Sequence, residues 1–233
     1  MSMLKRSAFT YALPLTTPIC AGFLFLGLSY GLYATSKGLP VYYPTLMSAL
    51  IYAGSMEFVT VSLLLAPFNP VGVFFLTLMV NARHIFYGLA MLEKYRHLGW
   101  KTYYLIFGMC DETFAINAAT DVPPDIDRSW FYVHVTWLNQ VYWVGGATIG
   151  GLVGNYLTFL PTKGIEFILT ALFLVLLLEL THKEKGLRNG LIGLATTAAA
   201  LLIFGAAQFI IPAMIGITSI FFVLYKKGDV IRD

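Results

Sequence analysis

Four stretches of this chain carry no Asp, Glu, Lys or Arg: Ser7–Ser36, Phe58–Ala82, Ser129–Thr162 and Asn189–Tyr225, of 30, 25, 34 and 37 residues. A transmembrane helix needs about 20 consecutive apolar residues, whereas a membrane-spanning β-strand needs only about 9–11 in an alternating pattern. These stretches are continuous rather than alternating, so a helical membrane protein is the expected fold. Composition agrees. Only 12% of the 233 residues are charged and 58% are apolar, against about 25% and about 45–50% in soluble domains. Half the usual charge cannot solvate a globule of this size, which excludes soluble, disordered, coiled-coil and disulfide-scaffold readings.

Charge clusters, prolines and glycines divide the chain into about eight hydrophobic segments, near 8–36, 41–66, 71–92, 102–120, 130–157, 164–182, 190–206 and 210–225. The turn inside the last uncharged stretch falls at Gln208–Pro212. The expected fold is all-α and polytopic, with seven or eight transmembrane helices, some bent or broken, in a single transmembrane domain over 1–233. Pro14 and Pro18 favour a bend in the first segment. Two halves, about 8–120 and 130–226, are faintly alike: each has a Gly-rich long first segment, then Gly38-Leu39 or Gly164-Ile165. That is a suspected internal duplication of the kind common in transporters. Lys5 and Arg6 before an apolar run imitate a signal peptide, but 30 uncharged residues exceed its usual apolar region of about 7–15, so a retained first helix is expected. With eight spans and a cytoplasmic N-terminus, nine flanking Lys/Arg fall inside and five outside. This favours a cytoplasmic C-terminus beside Lys226 and Lys227. Gly27 and Gly31, and Gly146, Gly150 and Gly154, recur every fourth residue, the spacing that lets membrane helices approach closely. A net charge of +3 suggests no nucleic-acid partner. Cys20 and Cys110 read as small buried hydrophobes.

The informative residues are charges where none should be. The midpoint of segment 41–66 falls on Gly54-Ser55-Met56-Glu57-Phe58, that of 71–92 on Asn81-Ala82-Arg83-His84, and that of 102–120 on Asp111-Glu112-Thr113-Phe114. Facing lipid at that depth, each charge would cost about 2.5–3.5 kcal/mol or more, so these groups face the interior and pair. Arg83 should pair with Glu57, Asp111 or Glu112. Helical spacing puts Asn81, His84 and Gly88 on one stripe, and Asp111 on another with Gly108, Ala115 and Ala118. Adjacent carboxylates in a low-dielectric site resist double ionisation, which makes Asp111 and Glu112 proton-coupling candidates. The Gly54-Ser55 step invites a broken helix, whose ends present N–H and C=O groups to a bound zwitterion.

An enzyme is not expected. The chain has no P-loop, nucleophile elbow, His-Glu-x-x-His or Cys-x-x-Cys, and His84, His97, His134 and His182 form no metal pattern. Neither metal nor cofactor is implied. A zwitterionic substrate fits better. Glu57 or Asp111 would meet its ammonium, and Arg83 or the Gly54-Ser55 helix end its carboxylate. Phe58, Phe86 and Phe114 would flank its side chain, with Asn81 and His84 as further polar contacts. The alternative class is a channel-like or non-transporting membrane scaffold, although no helix carries the full-length polar stripe of a channel.

Several short motifs resemble the AzlC family of branched-chain amino-acid exporters. They are Gly22-Phe23-Leu24-Phe25-Leu26-Gly27 with Gly31, Leu46-Met47-Ser48-Ala49, Tyr52-Ala53-Gly54-Ser55-Met56-Glu57-Phe58, Asn81-Ala82-Arg83-His84 and Asp111-Glu112-Thr113-Phe114. The sequence departs from the family pattern at Met56-Glu57, where Gln is frequent. The resemblance implies the large subunit of a two-component permease in a bacterial plasma membrane. It would export hydrophobic amino acids such as leucine, isoleucine, valine and methionine with a small AzlD-type membrane subunit; the carboxylates Asp111 and Glu112, not the resemblance, suggest proton antiport.

Overall fold

A computed structural model describes residues 2–156, 174, 186–205 and 209–226. The expected span 164–182, the Gly164-Ile165 pair, the start of the Gln208–Pro212 turn and the tail beyond Lys226 lie wholly or partly outside the described residues. Two compact units divide the chain, Met1–Ile168 and Leu169–Asp233. Every described element is a helix. The first unit holds α1 (Ser2–Ser36), α2 (Tyr42–Leu50), α3 (Gly54–Leu65), α4 (Pro70–Val80), α5 (Arg83–Tyr95), α6 (Lys101–Phe107), α7 (Asp111–Ala119) and α8 (Arg128–Tyr156). The described part of the second unit is α9 (Gly186–Phe204) and α10 (Ile210–Lys226), which pack on each other.

Two long helices frame the first unit. α1 runs through both Pro14 and Pro18 as one helix, so the expected bend does not break it. It lies along α8, and the glycines expected to mediate close packing do so. A Cβ on Gly31 would run into the Ala147 carbonyl and the Gly151 amide, and one on Gly150 into the Leu28 carbonyl. In a membrane the apolar effect cannot drive helices together, and backbone approach through small residues supplies dispersion contact instead. Phe23 and Tyr30 of α1 then pack on Trp143 of α8, at 5.7 and 6.1 Å between ring centroids.

Between the two frame helices, three consecutive hydrophobic segments are interrupted near their centres. The α2 helix stops at Leu50, Tyr52 takes a left-handed φ of 48°, and helix resumes at Gly54. The α4 and α5 axes bend by 51° across Asn81-Ala82. There His84 N–H donates to Asn81 O at 2.9 Å and Ile85 N–H to Ala82 O at 3.2 Å, a tighter i to i−3 pattern. The α6 helix stops at Gly108, where a Cβ would strike the Thr136 methyl, and α7 begins at Asp111. These interruptions correct the helical stripes read from the sequence. Asn81 lies before the bend and His84 after it, and Gly108 and Asp111 belong to different helices.

Span number follows the same logic. Among the described residues, only α1 and α9 are individually long and apolar enough to cross a bilayer, and the bent α4–α5 pair adds a third. α2, α3, α6 and α7 are halves of 9, 12, 7 and 9 residues. The 29-residue α8 is diluted by Asn139, Gln140 and its Trp, Tyr and Gly residues.

The start of α8 is capped. Asp127 Oδ1 accepts from the Ser129 amide (3.0 Å), the Ser129 hydroxyl (2.7 Å) and the Trp130 amide (3.2 Å), while Lys101 reaches Ser129 Oγ at 2.6 Å. Partial burial pushes the Asp127 carboxyl up, but these hydrogen bonds and the Lys101 charge outweigh it and hold the group below its ordinary 3.8. A carboxylate stabilised in the folded state contributes above its unfolded value and loses that contribution as pH falls through the folded one.

Two outcomes follow, both read by thermal unfolding in detergent. Gly31→Ala is expected to cost about 1–3 kcal/mol by overpacking the α1–α8 seam, whereas Gly22→Ala, with nothing within 4 Å of the added Cβ, should be neutral. Asp127→Ala should cost about 1 kcal/mol as a lost N-cap, with the deficit shrinking in acid below the ordinary Asp range. Asp127→Asn should keep most of the cap and lose that acid dependence.

Candidate functional site

The three interruptions meet at one side chain. Arg83, the first residue of α5, places Nη1 3.2 Å from Asp111 Oδ2 at the start of α7. Its Nη2 donates to Ser55 Oγ in the first turn of α3 at 3.5 Å, the limit of a hydrogen bond. One guanidinium therefore ties together the N-terminal turns of three half-helices. Each such turn leaves backbone N–H groups without intrahelical partners and carries a partial positive charge. Asp111 faces both that field and Arg83.

The pair is not saturated. Asn81 Oδ1, Arg83 Nε and Asp111 Oδ1 are buried without a hydrogen-bond partner among the described residues. The Arg83 and Asp111 side chains as wholes remain 38% and 28% exposed. One donor and two acceptors thus stand unsatisfied around a partly open ion pair. Buried polar groups are nearly always bonded, and leaving one unmade costs about 1–3 kcal/mol. A group that both donates and accepts hydrogen bonds would satisfy these atoms.

Neighbouring side chains fix this geometry. His84 Nδ1 lies 3.1 Å from Asn81 O, and the His84 ring packs edge-on to Tyr87 at 5.6 Å. Phe114 stacks on Tyr87 at 4.4 Å, joining α7 to α5. Behind Asp111, Cys110 Sγ contacts Thr113 Oγ1 at 3.1 Å, and Asn139 Nδ2 of α8 donates to the same hydroxyl at 3.0 Å. The start of α7 is thereby anchored to the frame. Glu112 follows Asp111 in the first turn.

Glu57 stands apart. Among the three carboxylates that the sequence offers to Arg83, the structure pairs the guanidinium with Asp111. Glu57 is fully buried, and its carboxylate accepts the indole N–H of Trp143 at 3.1 Å to each oxygen and the Ala53 amide at 2.9 Å. It bridges its own helix break and locks α3 onto α8. A Cβ on Gly54 would come 3.2 Å from the Trp143 ring, so the glycine leaves room for the indole. Phe58, also buried, packs on Tyr30 and Tyr33 of α1. Phe86 is 65% exposed on α5.

Trp143, Thr113 and Asn139 do not emerge from the search for charges. A neutral signal was available: Asn139, Gln140 and Trp143 sit near the centre of the 34-residue uncharged stretch. Polar side chains at such depth demand partners as charges do, at smaller cost.

Residues 18–157 match the family model of the AzlC protein, a span reaching from α1 to the end of α8 and containing all three interruptions. The chain is 53% identical over 228 residues to the branched-chain amino acid transport protein AzlC of Bacillus subtilis (strain 168), covering 96% of this chain and 89% of that one. It is 47% identical over 205 residues to an uncharacterized membrane protein of Haemophilus influenzae, covering 88% and 84%. It is 29% identical over 207 residues to the inner membrane protein YgaZ of Escherichia coli (strain K12), covering 85% and 81%. No solved structure matches.

Removing the Trp143 donor tests the Glu57 anchor. Trp143→Phe leaves a buried carboxylate with one backbone partner and should destabilise the protein by about 2–3 kcal/mol. Glu57→Gln in that background, which replaces the ionisable carboxyl by an uncharged amide of the same shape, should restore part of the loss in the thermal melt.

Proposed function

The chain belongs to the AzlC family of membrane transport proteins, and from that membership and the unsaturated Arg83–Asp111 pair we propose that it exports branched-chain and other hydrophobic amino acids. The substrates would be leucine, isoleucine, valine and methionine. The carrying observation is one guanidinium holding three half-helix starts, with a spare donor and two spare acceptors beside it. A zwitterion uses both kinds. Its carboxylate would bind Arg83 and the N–H groups at Gly54-Ser55, where the helix dipole favours negative charge. Its ammonium would bind Asp111 and Asn81. Phe114, stacked on Tyr87, would bound the side chain, and His84 would hold the Asn81 turn. Glu57 and Phe58 would fix α3 against the frame rather than touch the ligand.

Proton antiport follows from one group serving two cations. The substrate ammonium and a proton both neutralise Asp111, so they exclude each other there, and Glu112 next to it disfavours a second buried anion. Exclusive binding at a single site is what exchange of one cation for the other requires. Seven or eight spans, with α2–α3 and α6–α7 as broken ones, would place this site in a bacterial plasma membrane with the C-terminus in the cytoplasm. Family resemblance supports a small AzlD-type membrane subunit as partner. A channel or a passive scaffold would not accumulate substrate against a gradient.

The test is efflux of radiolabelled leucine from cells with and without this chain and the small partner. Arg83→Ala should reduce efflux to background, and Arg83→Lys, which keeps the charge but loses the planar fork, should be milder. Asp111→Asn should abolish export driven by ΔpH while sparing exchange between compartments of equal pH. Accumulation by Asp111→Asn under ΔpH alone would move the proton to another residue. Absence of any chain-dependent efflux would reject transport of these amino acids.

A further inference from the structure

A cavity of about 590 Å³ lies between α5 and α6. Its wall on α5 is one helical face: His84, Gly88, Met91 and Tyr95 recur at intervals of three or four, and Leu92 and Arg96 widen the stripe. On α6 and just beyond, Thr102, Ile106 and Met109 form the opposite face. The spacing orders the two ends. His84 and Met109 close the inner end, and Arg96, Glu93 and Thr102 the outer, where Thr102 Oγ1 ties to Tyr95 O at 3.0 Å.

Neither Arg83 nor Asp111 lines the cavity, but the inner end is built from residues next to them in the chain. His84 directly follows Arg83, and Met109 precedes Asp111 by two residues. From His84 to Arg96 is about 18 Å along a helix, at about 1.5 Å per residue, roughly half the hydrocarbon thickness of a bilayer. The mouth carries one acidic and one basic side chain, Glu93 and Arg96, both exposed. The walls between are apolar, with Met91 and Met109 supplying flexible thioethers that adapt to branched or linear side chains. The volume falls within the range of about 300–1,000 Å³ typical of small-molecule sites.

Gly88 lies in the middle of this wall. An added Cβ there would meet nothing within 4 Å, unlike the seam glycines Gly31 and Gly150. Close packing therefore does not account for this glycine, and its missing side chain keeps the groove wide.

We propose that the α5–α6 groove is the vestibule through which an aliphatic or thioether amino acid passes between water and the Arg83–Asp111 pair, its side chain against Met91, Ile106 and Met109, with Gly88 setting the largest side chain admitted. The inference rests on the transport reading and adds a route and a size filter to it.

The experiment uses the full chain with its small partner in cells. Gly88→Leu is expected to lower leucine and methionine efflux about ten-fold, the scale on which pockets discriminate by a methylene or two, with a smaller loss for valine. Gly88→Ala should lie between. Gly145→Leu on α8, where an added Cβ also meets nothing within 4 Å, should export like the unsubstituted chain. A second measurement does not depend on efflux by the bulky variant. Gly88→Cys should react with a membrane-impermeant methanethiosulfonate from one side only, and leucine should slow that reaction several-fold. The unsubstituted chain, which carries Cys20 and Cys110, is the reagent control. Normal leucine export by Gly88→Leu overturns the vestibule while leaving transport intact. So does a thiol at position 88 that leucine does not protect, which makes the groove a seat for lipid or a partner helix. If the unsubstituted complex moves no leucine, the transport reading fails and the vestibule falls with it.

Discussion

A guanidinium in the middle of a hydrophobic segment must find an anion, and Arg83 finds Asp111 only because three segments break at matching places. An unbroken helix would present its backbone fully bonded and its side chains radially. Ending α2 before Gly54 and α6 before Asp111 turns two helix starts toward Arg83, and the bend at Asn81-Ala82 lets Arg83 begin a helix of its own. Breaking a helix inside a membrane frees backbone groups that lipid cannot satisfy. Side chains compensate part of that cost. The Ala53 amide goes to Glu57, and Thr113 is met by Asn139. Among the described residues, Asn81 Oδ1, Arg83 Nε and Asp111 Oδ1 stay unsatisfied at the meeting point, and Asn117, Asn139 and Asn189 Oδ1 elsewhere.

Such a site needs something that does not yield, and the α1–α8 seam provides it. Backbone approaches backbone there, so no side chain can rearrange to let the helices slide. The half-helices hang from this frame by directional bonds. α3 is held through the two indole-to-carboxylate contacts of Glu57 and Trp143. The α7 start is held through the Asn139–Thr113 bond, and Tyr104 on α6 bonds Gln140 at 2.8 Å. α5 contributes both Arg83 and a face of the groove; its side-chain polar bonds to other helices run to α3 and α7, and its Tyr95 ring packs on Tyr132 of α8 at 5.5 Å. Lys94 reaches the Asn117 and Ala118 carbonyls at the end of α7.

Much of this was legible from residue types alone. Uncharged stretches declared the membrane, glycine spacing declared the seam, and misplaced charges declared an interior ion pair, which is Arg83–Asp111. The break beside Gly54 was readable because glycine and a polar neighbour sit at a segment midpoint. The break at Met109-Cys110 was not, since the adjoining Gly108 is as well explained by contact with Thr136, and that contact is made by a residue 28 positions away. Pairing was the least readable feature. Glu57, Asp111 and Glu112 are indistinguishable partners for Arg83 by depth, and what removes Glu57 from contention is Trp143, 86 residues later, an uncharged side chain in a stretch notable for lacking charge. Pro14 and Pro18 sit in the longest helix without interrupting it.

Glu57 and Asp111 show how similar carboxylates come to hold different roles. Each lies in the first turn of a half-helix, so the local backbone field is similar. Glu57 receives two donors, the Trp143 indole N–H shared between its two oxygens and the Ala53 amide, and is fully buried, so it is closed to a ligand. Asp111 receives Arg83 on one oxygen and keeps the other free. Arg83 is itself only partly engaged, because the contact to Ser55 is long and Nε has no partner. A loosely held ion pair with spare valence on both members can be opened by a ligand that offers both charges and can close again when it leaves, which a saturated pair cannot do. On the transport reading, incomplete bonding of Arg83 and Asp111 is the arrangement that exchange would need, and the bonding of Glu57 to Trp143 and Ala53 would hold the break beside it.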